Sequence, residues 1–226
     1  FAVVCELLEV VGSFRHRVLQ LRNLQTADVK LFGALEAAFR FFQLFQRRIK
    51  LLGLHFGDGS KDLTVTVPRG WVCDSLELDT ASTDLTVRDM IIREVEIDSA
   101  NGTAKFENCT ISSLDVDTAS GDVTFTGSLS ELDFDAASAS FTGVLENVPD
   151  RVKMDSMSGD LALTLPEDAG FTVSLDAMSS DFSSDFPTVK KNKSYVCGDG
   201  HCKIDVSAMS GDVSILKQSA DAAVKK

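Results

Sequence analysis

The chain has 226 residues, 44% of which are hydrophobic, and a net charge of −12 at pH 7. The hydrophobic fraction is sufficient for a folded core, which argues against a wholly disordered chain. Residues 57–226 hold 14 Lys and Arg against 30 Asp and Glu, and because such an acidic region repels phosphates, we expect no nucleic acid partner.

Residues 1–56 differ in composition from the rest and hold eight of the fifteen Phe residues. Their apolar residues recur at steps of three or four, which predicts an α-helical N-terminal segment: Leu35, Phe39, Phe42, Phe45, Ile49 and Leu52. Three interpretations remain open. The segment caps a neighbouring β domain, it contacts a membrane through the basic stretch 27–52, or it is not the native start of the protein.

A six-residue phrase returns seven times in the remainder of the chain, for example as Asp117-Thr-Ala-Ser-Gly-Asp122 and Asp155-Ser-Met-Ser-Gly-Asp160. The copies begin at positions 79, 98, 117, 135, 155, 176 and 207. The spacing is therefore nearly constant, except for one longer step between the last two copies. A repeat of this kind is typical of repeat proteins, in which each unit buries its apolar face against its neighbours.

Apolar and polar residues alternate on both sides of the phrase, as at Leu114 and Val116 before it and Val123 and Phe125 after it. This period of two predicts strands that meet at a corner. We therefore expect a mainly β fold over residues 57–217, a right-handed parallel β-solenoid with about 19 residues per coil. A meander or sandwich of hairpins is the alternative. Residues 218–226 are expected to form a flexible tail.

The repeated aspartates allow a functional and a structural interpretation. Stacked carboxylates could bind Ca²⁺, and Asp98, Asp117 and Asp122 are the candidates. The favoured interpretation is a corner in which Asp accepts backbone N–H groups nearby and Gly adopts a positive φ. The corner residues are Asp79, Asp98, Asp117, Asp135, Asp155, Asp176, Gly121, Gly159 and Gly211. We expect Met157, Met178 and Met209 to fill the inside of the corners, and we expect no cofactor.

The segment Cys197-Gly-Asp-Gly-His-Cys202 places two cysteines on either side of a four-residue turn. Paired across a hairpin, Cys197 and Cys202 could form a disulfide. Free thiols are the second interpretation. A Zn²⁺ site with His201 and Asp199 is the third, although no second cysteine pair with metal-ligand spacing is present.

No catalytic signature is present, and we predict that the chain is not an enzyme. Its corners resemble those of a bacterial adhesin-like β-strand-repeat family, a Gram-positive type of domain of unknown function. The resemblance covers residues 58–217 and is carried by Thr118-Ala-Ser-Gly-Asp-Val123, Met157-Ser-Gly-Asp-Leu161, Met209-Ser-Gly-Asp-Val213 and Lys61-Asp-Leu-Thr-Val-Thr-Val-Pro68. It implies a β-solenoid that is exported or anchored to a membrane, and it supplies no catalytic residues.

These observations predict an interaction module of the cell surface or cell envelope, whose partner is a protein or a glycan. The alternatives are a structural element that forms homo-oligomers through its solenoid ends, and an envelope-stress sensor that signals through residues 1–56. No apolar run is long enough to predict a spanning helix. An extracellular or envelope-associated location is expected.

Overall fold

The computed structural model describes residues 2–8, 19–20, 48–52 and 63–219. All regular elements in these residues are strands. In chain order they are β1 (Ala2–Leu8), β2 (Leu19–Gln20), β3 (Arg48–Leu52), β4 (Leu63–Pro68), β5 (Val72–Thr80), β6 (Asp84–Arg88), β7 (Ile91–Asn101), β8 (Ala104–Ser120), β9 (Val123–Ser138), β10 (Phe141–Leu145), β11 (Arg151–Ser158), β12 (Leu161–Leu165), β13 (Phe171–Ser179), β14 (Phe182–Ser184), β15 (Val189–Lys191), β16 (Ser194–Cys197), β17 (Cys202–Ser210) and β18 (Val213–Lys217).

The strands pair into one curled mixed sheet. Strands that precede a corner form the pre-corner row, in the spatial order β3, β5, β7, β8, β9, β11, β17, β13. Strands that follow a corner form the post-corner row, in the order β4, β1, β6, β8, β9, β10, β12, β18, β14. The long strands β8 and β9 run from one corner to the next and therefore belong to both rows. All pairings within the two rows are parallel.

Equivalent residues of neighbouring coils lie opposite each other. Leu76, Val95, Leu114 and Leu132 are register partners along the pre-corner row, and all four are buried. The number of residues between successive partners equals the number between successive corner phrases in the same coils. The prediction of a mainly β fold built from repeats is therefore confirmed.

Apolar side chains from successive coils fill the interior of the curled sheet. The rings of Phe106 and Phe125 lie 5.9 Å apart, and those of Phe134 and Phe141 are also 5.9 Å apart. All four rings are buried, and burying one such side chain stabilises a fold by about 1.5–3 kcal/mol. Because successive side chains of a strand point to opposite sides, this core fixes which residues face outwards.

The last coil of the chain lies between two earlier coils. Strand β17 pairs with β11 on one side and with β13 on the other, so Ile204 lies between Val152 and Val173. In the post-corner row, β18 lies in the same way between β12 and β14. A regular solenoid adds each new coil beyond the previous one, and the structure differs from this order here. The long step between the last two corner phrases is the connection that lets the chain return into the stack.

An antiparallel hairpin ends the pre-corner row beyond β13. Strand β16 pairs antiparallel with β13, and the three-residue strand β15 pairs antiparallel with β16. The hairpin carries Lys190, Lys191 and Lys193, all of which are exposed. Short, lysine-bearing edges are a common protection against edge-to-edge pairing, so this hairpin covers one end of the row.

The predicted N-terminal helix is wrong at Ala2–Leu8, Leu19–Gln20 and Arg48–Leu52, which form strands β1, β2 and β3. Strand β3 pairs in parallel with β5. Ile49 and Leu51 are both buried, as expected for alternation with a period of two. The sheet therefore begins upstream of residue 57. Positions 35, 39, 42 and 45 of the predicted helical stripe, most of the basic stretch 27–52 and most of the tail 218–226 lie outside the described residues. The described part of the chain contains no helix that could cross a membrane.

Candidate functional site

The glycines of the corners let neighbouring coils approach closely. Gly121 has a φ of +114°, and a Cβ atom built on it would lie 1.8 Å from the carbonyl oxygen of Gly102. Gly211 has a φ of +134°, and its Cβ would lie 2.0 Å from the carbonyl oxygen of Gly159. A Cβ on Gly159 would lie 1.8 Å from the carbonyl oxygen of Ala139. Any larger residue at these three positions would push two coils apart.

The aspartate that ends the corner phrase connects one coil to the next. The backbone N–H of Thr103 donates to Asp84 Oδ1 at 2.8 Å. Likewise, the N–H of Asp212 donates to Asp160 Oδ1 at 2.8 Å, and the N–H of Asp181 donates to Asp212 Oδ1 at 2.9 Å. The Thr103 N–H and hydroxyl lower the pKa of Asp84. We predicted backbone hydrogen bonds for the aspartate that begins the phrase, within one corner, whereas these bonds are accepted by the aspartate that ends the phrase and join different coils.

The aspartate that begins the phrase faces outwards in a continuous row. Asp79, Asp98, Asp117, Asp135 and Asp155 are successive register partners. The row continues through a serine of β17, at position 207, to the aspartate at position 176 of β13. Neighbouring strands are about 4.8 Å apart, so unit charges at this spacing repel each other by about 1 kcal/mol in water and by more beside protein.

Further carboxylates extend this row into a broad surface, which we call the acidic face. Along β7 they occupy alternate positions, and alternate residues of a strand share one side. The acidic face comprises ten residues on four neighbouring strands: Glu77 and Asp79 on β5, Glu94, Glu96 and Asp98 on β7, Asp115 and Asp117 on β8, and Glu131, Asp133 and Asp135 on β9. From the sequence we singled out only the aspartates of the corner phrase. The alternation of Glu94, Glu96 and Asp98 was the signal that would have predicted the larger surface.

The carboxylates of the acidic face disfavour each other's charged forms. Partial desolvation raises the pKa of Glu96 above its ordinary value, and neighbouring carboxylates, Glu77 first, raise it further. Partial desolvation likewise raises the pKa of Asp115, with a further contribution from Asp133 and other neighbours. In the described part of the chain, no basic side chain forms an ion pair with Asp98, Asp115 or Asp117. A cation at this surface would relieve the repulsion.

Lys153 on β11 bounds the acidic face on one side. Its Nζ lies 2.9 Å from Asp133 Oδ1, 2.9 Å from Asp155 Oδ2 and 3.5 Å from Asp135 Oδ1. The hydrogen bond from Lys153 is the main cause that lowers the pKa of Asp155, and the carboxylates raise the pKa of Lys153 itself. One lysine thus compensates the carboxylates at this boundary, whereas the aspartates of β7 and β8 have no such partner among the described residues.

An open groove of about 520 Å³ runs along the edge of the acidic face, where the strands reach their corners. Four aspartates line it, together with small hydroxyl and alanine side chains: Asp79, Thr80, Asp98, Ser99, Ala100, Asp117, Thr118, Ala119, Asp135 and Ala136. The groove crosses four strands, so it offers a row of carboxylates beside small side chains. This shape suits an extended ligand that carries positive charge.

The predicted Ca²⁺ candidates do not converge on one point. Asp122 Oδ1 accepts the backbone N–H of Ser140 at 3.0 Å, whereas Asp98 and Asp117 belong to the outward row of aspartates. In the described residues, no group of three or more His, Cys, Asp or Glu side chains could hold a metal ion. The site residues of the calcium hypothesis are therefore divided between a coil-to-coil contact and an open surface.

The predicted disulfide between Cys197 and Cys202 is not formed, and both thiols are free and buried. Both cysteines are register partners of Phe171, Cys197 on β16 and Cys202 on β17, so β13 lies between them. Two strand spacings amount to about 9.6 Å, which exceeds the roughly 7 Å that a disulfide can bridge between Cα atoms. Burial raises the pKa of Cys202 to about 12. The zinc interpretation named His201 and Asp199, whereas the ring of His201 contacts another aspartate: its Nε2 lies 3.2 Å from Asp150 Oδ1.

The prediction that Met157, Met178 and Met209 fill the inside of the corners is wrong. Their relative exposures are 60%, 84% and 54%. Met157 lies two residues after Asp155 on β11, and alternation places both side chains on the outer side. The same alternation, applied to the sequence, would have predicted this exposure.

Comparisons with known proteins assign the repeat region to one family. The Toastrack DUF4097 family model matches residues 46–216. The matched range begins just before β3 and ends within β18, so it covers the strands that form both rows from β3 onwards. No curated protein and no solved structure matches the chain.

Proposed function

The chain belongs to the Toastrack DUF4097 family, a family of unknown function, and we propose that it is a non-enzymatic binding module whose acidic face binds a basic protein segment. The observation that carries this proposal is the array of ten carboxylates on four neighbouring strands. Within this array, Asp98, Asp115 and Asp117 have no ion-pair partner among the described residues, so a cationic partner that neutralises them gains electrostatic free energy.

The electrostatics of the acidic face favour a cationic partner. The raised pKa values of Glu96 and Asp115 mean that their charged forms are less stable here than in water. Lysine and arginine side chains of a partner would reverse this effect, as Lys153 does for Asp155. The long-range field of the face would also attract such a partner and speed its association.

The groove supports an extended rather than a compact ligand. It follows the row of Asp79, Asp98, Asp117 and Asp135, whose successive carboxylates are one strand spacing apart. The lining residues between them are small, which leaves room for a backbone close to the corners. A short extended basic segment can therefore place several positive side chains against this row.

We place this binding at the cell surface or in the cell envelope of a bacterium, in keeping with the adhesin-like Gram-positive family that the corner motifs resemble. We also propose that the coils form a right-handed parallel solenoid with about 19 residues per coil. The parallel pairings and the nearly constant sequence offset between register partners support it, as does the strong preference of parallel crossover connections for the right-handed form.

The structural alternative, self-assembly through the solenoid ends, has less support. The antiparallel hairpin β15–β16 covers one end of the pre-corner row, and the edge strands β14 and β15 are three residues long. This end of the rows therefore offers few backbone groups for pairing. The sensor alternative depends on residues 1–56, most of which lie outside the described residues.

A binding experiment with a basic probe tests the proposal. The full chain is titrated into a fluorescently labelled peptide of ten lysines, and the dissociation constant is measured by anisotropy at several salt concentrations. We expect saturable binding that weakens as salt screens the charges. In the double variant Asp98→Asn and Asp117→Asn, binding should be about tenfold weaker, because two exposed ion pairs together contribute about 1–2 kcal/mol.

The matched control changes two exposed carboxylates away from the acidic face, Glu167→Gln and Asp168→Asn, which have the same effect on net charge. This variant should bind the peptide nearly as well as the unaltered chain. If the two double variants weaken binding equally, only net charge matters and the acidic face is not the binding surface.

A further inference from the structure

Three exposed methionines lie side by side on adjacent coils, and we call them the methionine row. The register pairs that flank them place Met209 of β17 between Met157 of β11 and Met178 of β13. Adjacent strands are about 4.8 Å apart. The three side chains are 54–84% exposed, so the thioether groups are accessible from solvent.

The fold itself does not require long side chains at these positions. The equivalent corner position is alanine in the four other coils, at Ala81, Ala100, Ala119 and Ala137, and all four alanines are exposed. The corners of those coils stack in the same register without a methionine. More than half of each methionine side chain is thus left in water, at a position where alanine is enough for the corners to stack.

Thioether sulfur is a soft ligand, and among biological metal ions it favours Cu(I) over the hard cations that carboxylates bind. Methionine is also unbranched and has three rotatable bonds beyond its backbone. Side chains from three adjacent strands can therefore turn their sulfur atoms towards one point above the middle strand. We propose that Met157, Met209 and Met178 form a binding site for one soft monovalent metal ion, Cu(I).

The neighbouring groups leave the thioethers as the available donors. The carboxylates beside the row at its two ends are engaged by lysines: Asp155 is 2.9 Å from Lys153 Nζ, and Asp176 is 2.8 Å from Lys193 Nζ. Between these two aspartates, beside Met209, lies Ser207, which carries no charge. A hard divalent cation would therefore compete with lysines for these two carboxylates, whereas a soft monovalent ion would find three sulfur atoms.

Silver(I) is a suitable probe because it is soft, carries the same charge as Cu(I) and needs no reductant. The full chain with ¹³C-labelled methionine methyl groups is titrated with Ag(I) and followed by NMR. We expect the methyl signals of Met157, Met178 and Met209 to shift together and to saturate with one ion at the row. The signals of the buried Met90 and Met154 should not move.

The variant Met209→Leu removes the middle ligand from an exposed position, so the fold should be retained, and unchanged Met90 and Met154 signals would verify this. The saturable shift of Met157 and Met178 should then be lost. The matched control, Met90→Leu, should keep the full response. Three results would overturn the proposal: no shift in the methionine row, uptake of silver by the cysteines only, or shifts of Met157 and Met178 that persist unchanged in Met209→Leu.

Discussion

At the corners, individual residues decide how closely two coils can approach. Gly121 combines a positive φ with a close contact to the backbone of Gly102, whereas Asp84 and Asp160 supply carboxylates that accept amide hydrogens from the next coil. The glycine and the last aspartate of the corner phrase therefore hold neighbouring coils in contact. The aspartate at its beginning plays another part, because it faces solvent and builds the acidic face.

A comparison of Gly121→Ala with Gly70→Ala separates the two requirements on a corner glycine, a positive φ and close contact between coils. We expect Gly121→Ala to lower the free energy of unfolding by roughly 3 kcal/mol, since the new Cβ both strains the backbone and meets a carbonyl oxygen. Gly70 is the control, because its φ is +75° and a Cβ there would have no atom within 4 Å. Gly70→Ala should cost only about 1 kcal/mol. Urea unfolding of both variants measures the difference, and equal losses would mean that coil contact is unimportant.

The corner glycines could be predicted from the sequence, because Ser-Gly-Asp phrases are typical of turns with positive φ. A positive φ is present at Gly121 and Gly211. Gly159 is needed for the close approach to Ala139 instead. The partner of each aspartate could not be predicted, because a bond between coils depends on register and not on local sequence. The exposure of Met157 was predictable from its spacing to Asp155, and our assumption that apolar residues point inwards was the error.

At the scale of single strands, the contrast between β3 and β11 shows what a short pattern can predict. In β3, Ile49 and Leu52 fit a helical stripe, while Ile49 and Leu51 fit a strand. Short apolar runs do not distinguish the two. Pairing with β5 makes this segment a strand, and that pairing is seen only in the structure. The strand pattern at β11, with Val152 and Met154 buried and Lys153 facing outwards, was unambiguous because it lies within the repeat.

Lys153 joins strands β9 and β11, and its removal should destabilise the fold in a pH-dependent manner. We expect Lys153→Met to lower the free energy of unfolding by about 1 kcal/mol at pH 7, because three carboxylates lose their shared cation. Lys153 holds the pKa of Asp155 below its ordinary value of 3.8. This contribution is therefore complete above that value and is lost as the pH falls through the lowered pKa.

Denaturant unfolding of Lys153→Met at pH 7 and pH 3 measures this effect, and the difference from the unaltered chain should shrink at the lower pH. Lys193→Met is the matched control, because Lys193 contacts only Asp176 among the described carboxylates and its side chain is 79% exposed. Its unfolding free energy should be nearly unchanged, because a fully exposed ion pair contributes little to stability. A loss for Lys153→Met that is the same at both pH values would contradict the proposed role of the carboxylates.

For the whole molecule, the spatial order of the coils determines every surface described above. The acidic face needs β5, β7, β8 and β9 to be consecutive neighbours, and the methionine row needs β17 to lie between β11 and β13. The nearly constant spacing of the first corner phrases correctly predicted that the strands of the acidic face are consecutive neighbours. The long final step, from position 176 to position 207, fits both a surface loop and a return into the stack, so the sequence alone could not predict the position of β17 or the methionine row.

Cross-linking of engineered cysteines tests this order of coils most directly. Ser158 and Ser210 are register partners, as are Ser210 and Ser179, so Ser158 and Ser179 are two strand spacings apart. The full chain would carry either Ser158→Cys with Ser210→Cys, or Ser158→Cys with Ser179→Cys. A thiol reagent that bridges one strand spacing should link the first pair efficiently and the second pair poorly, as seen by peptide mass spectrometry. Efficient linkage of Ser158→Cys to Ser179→Cys, with little linkage to Ser210→Cys, would contradict the inserted last coil and the methionine row that depends on it.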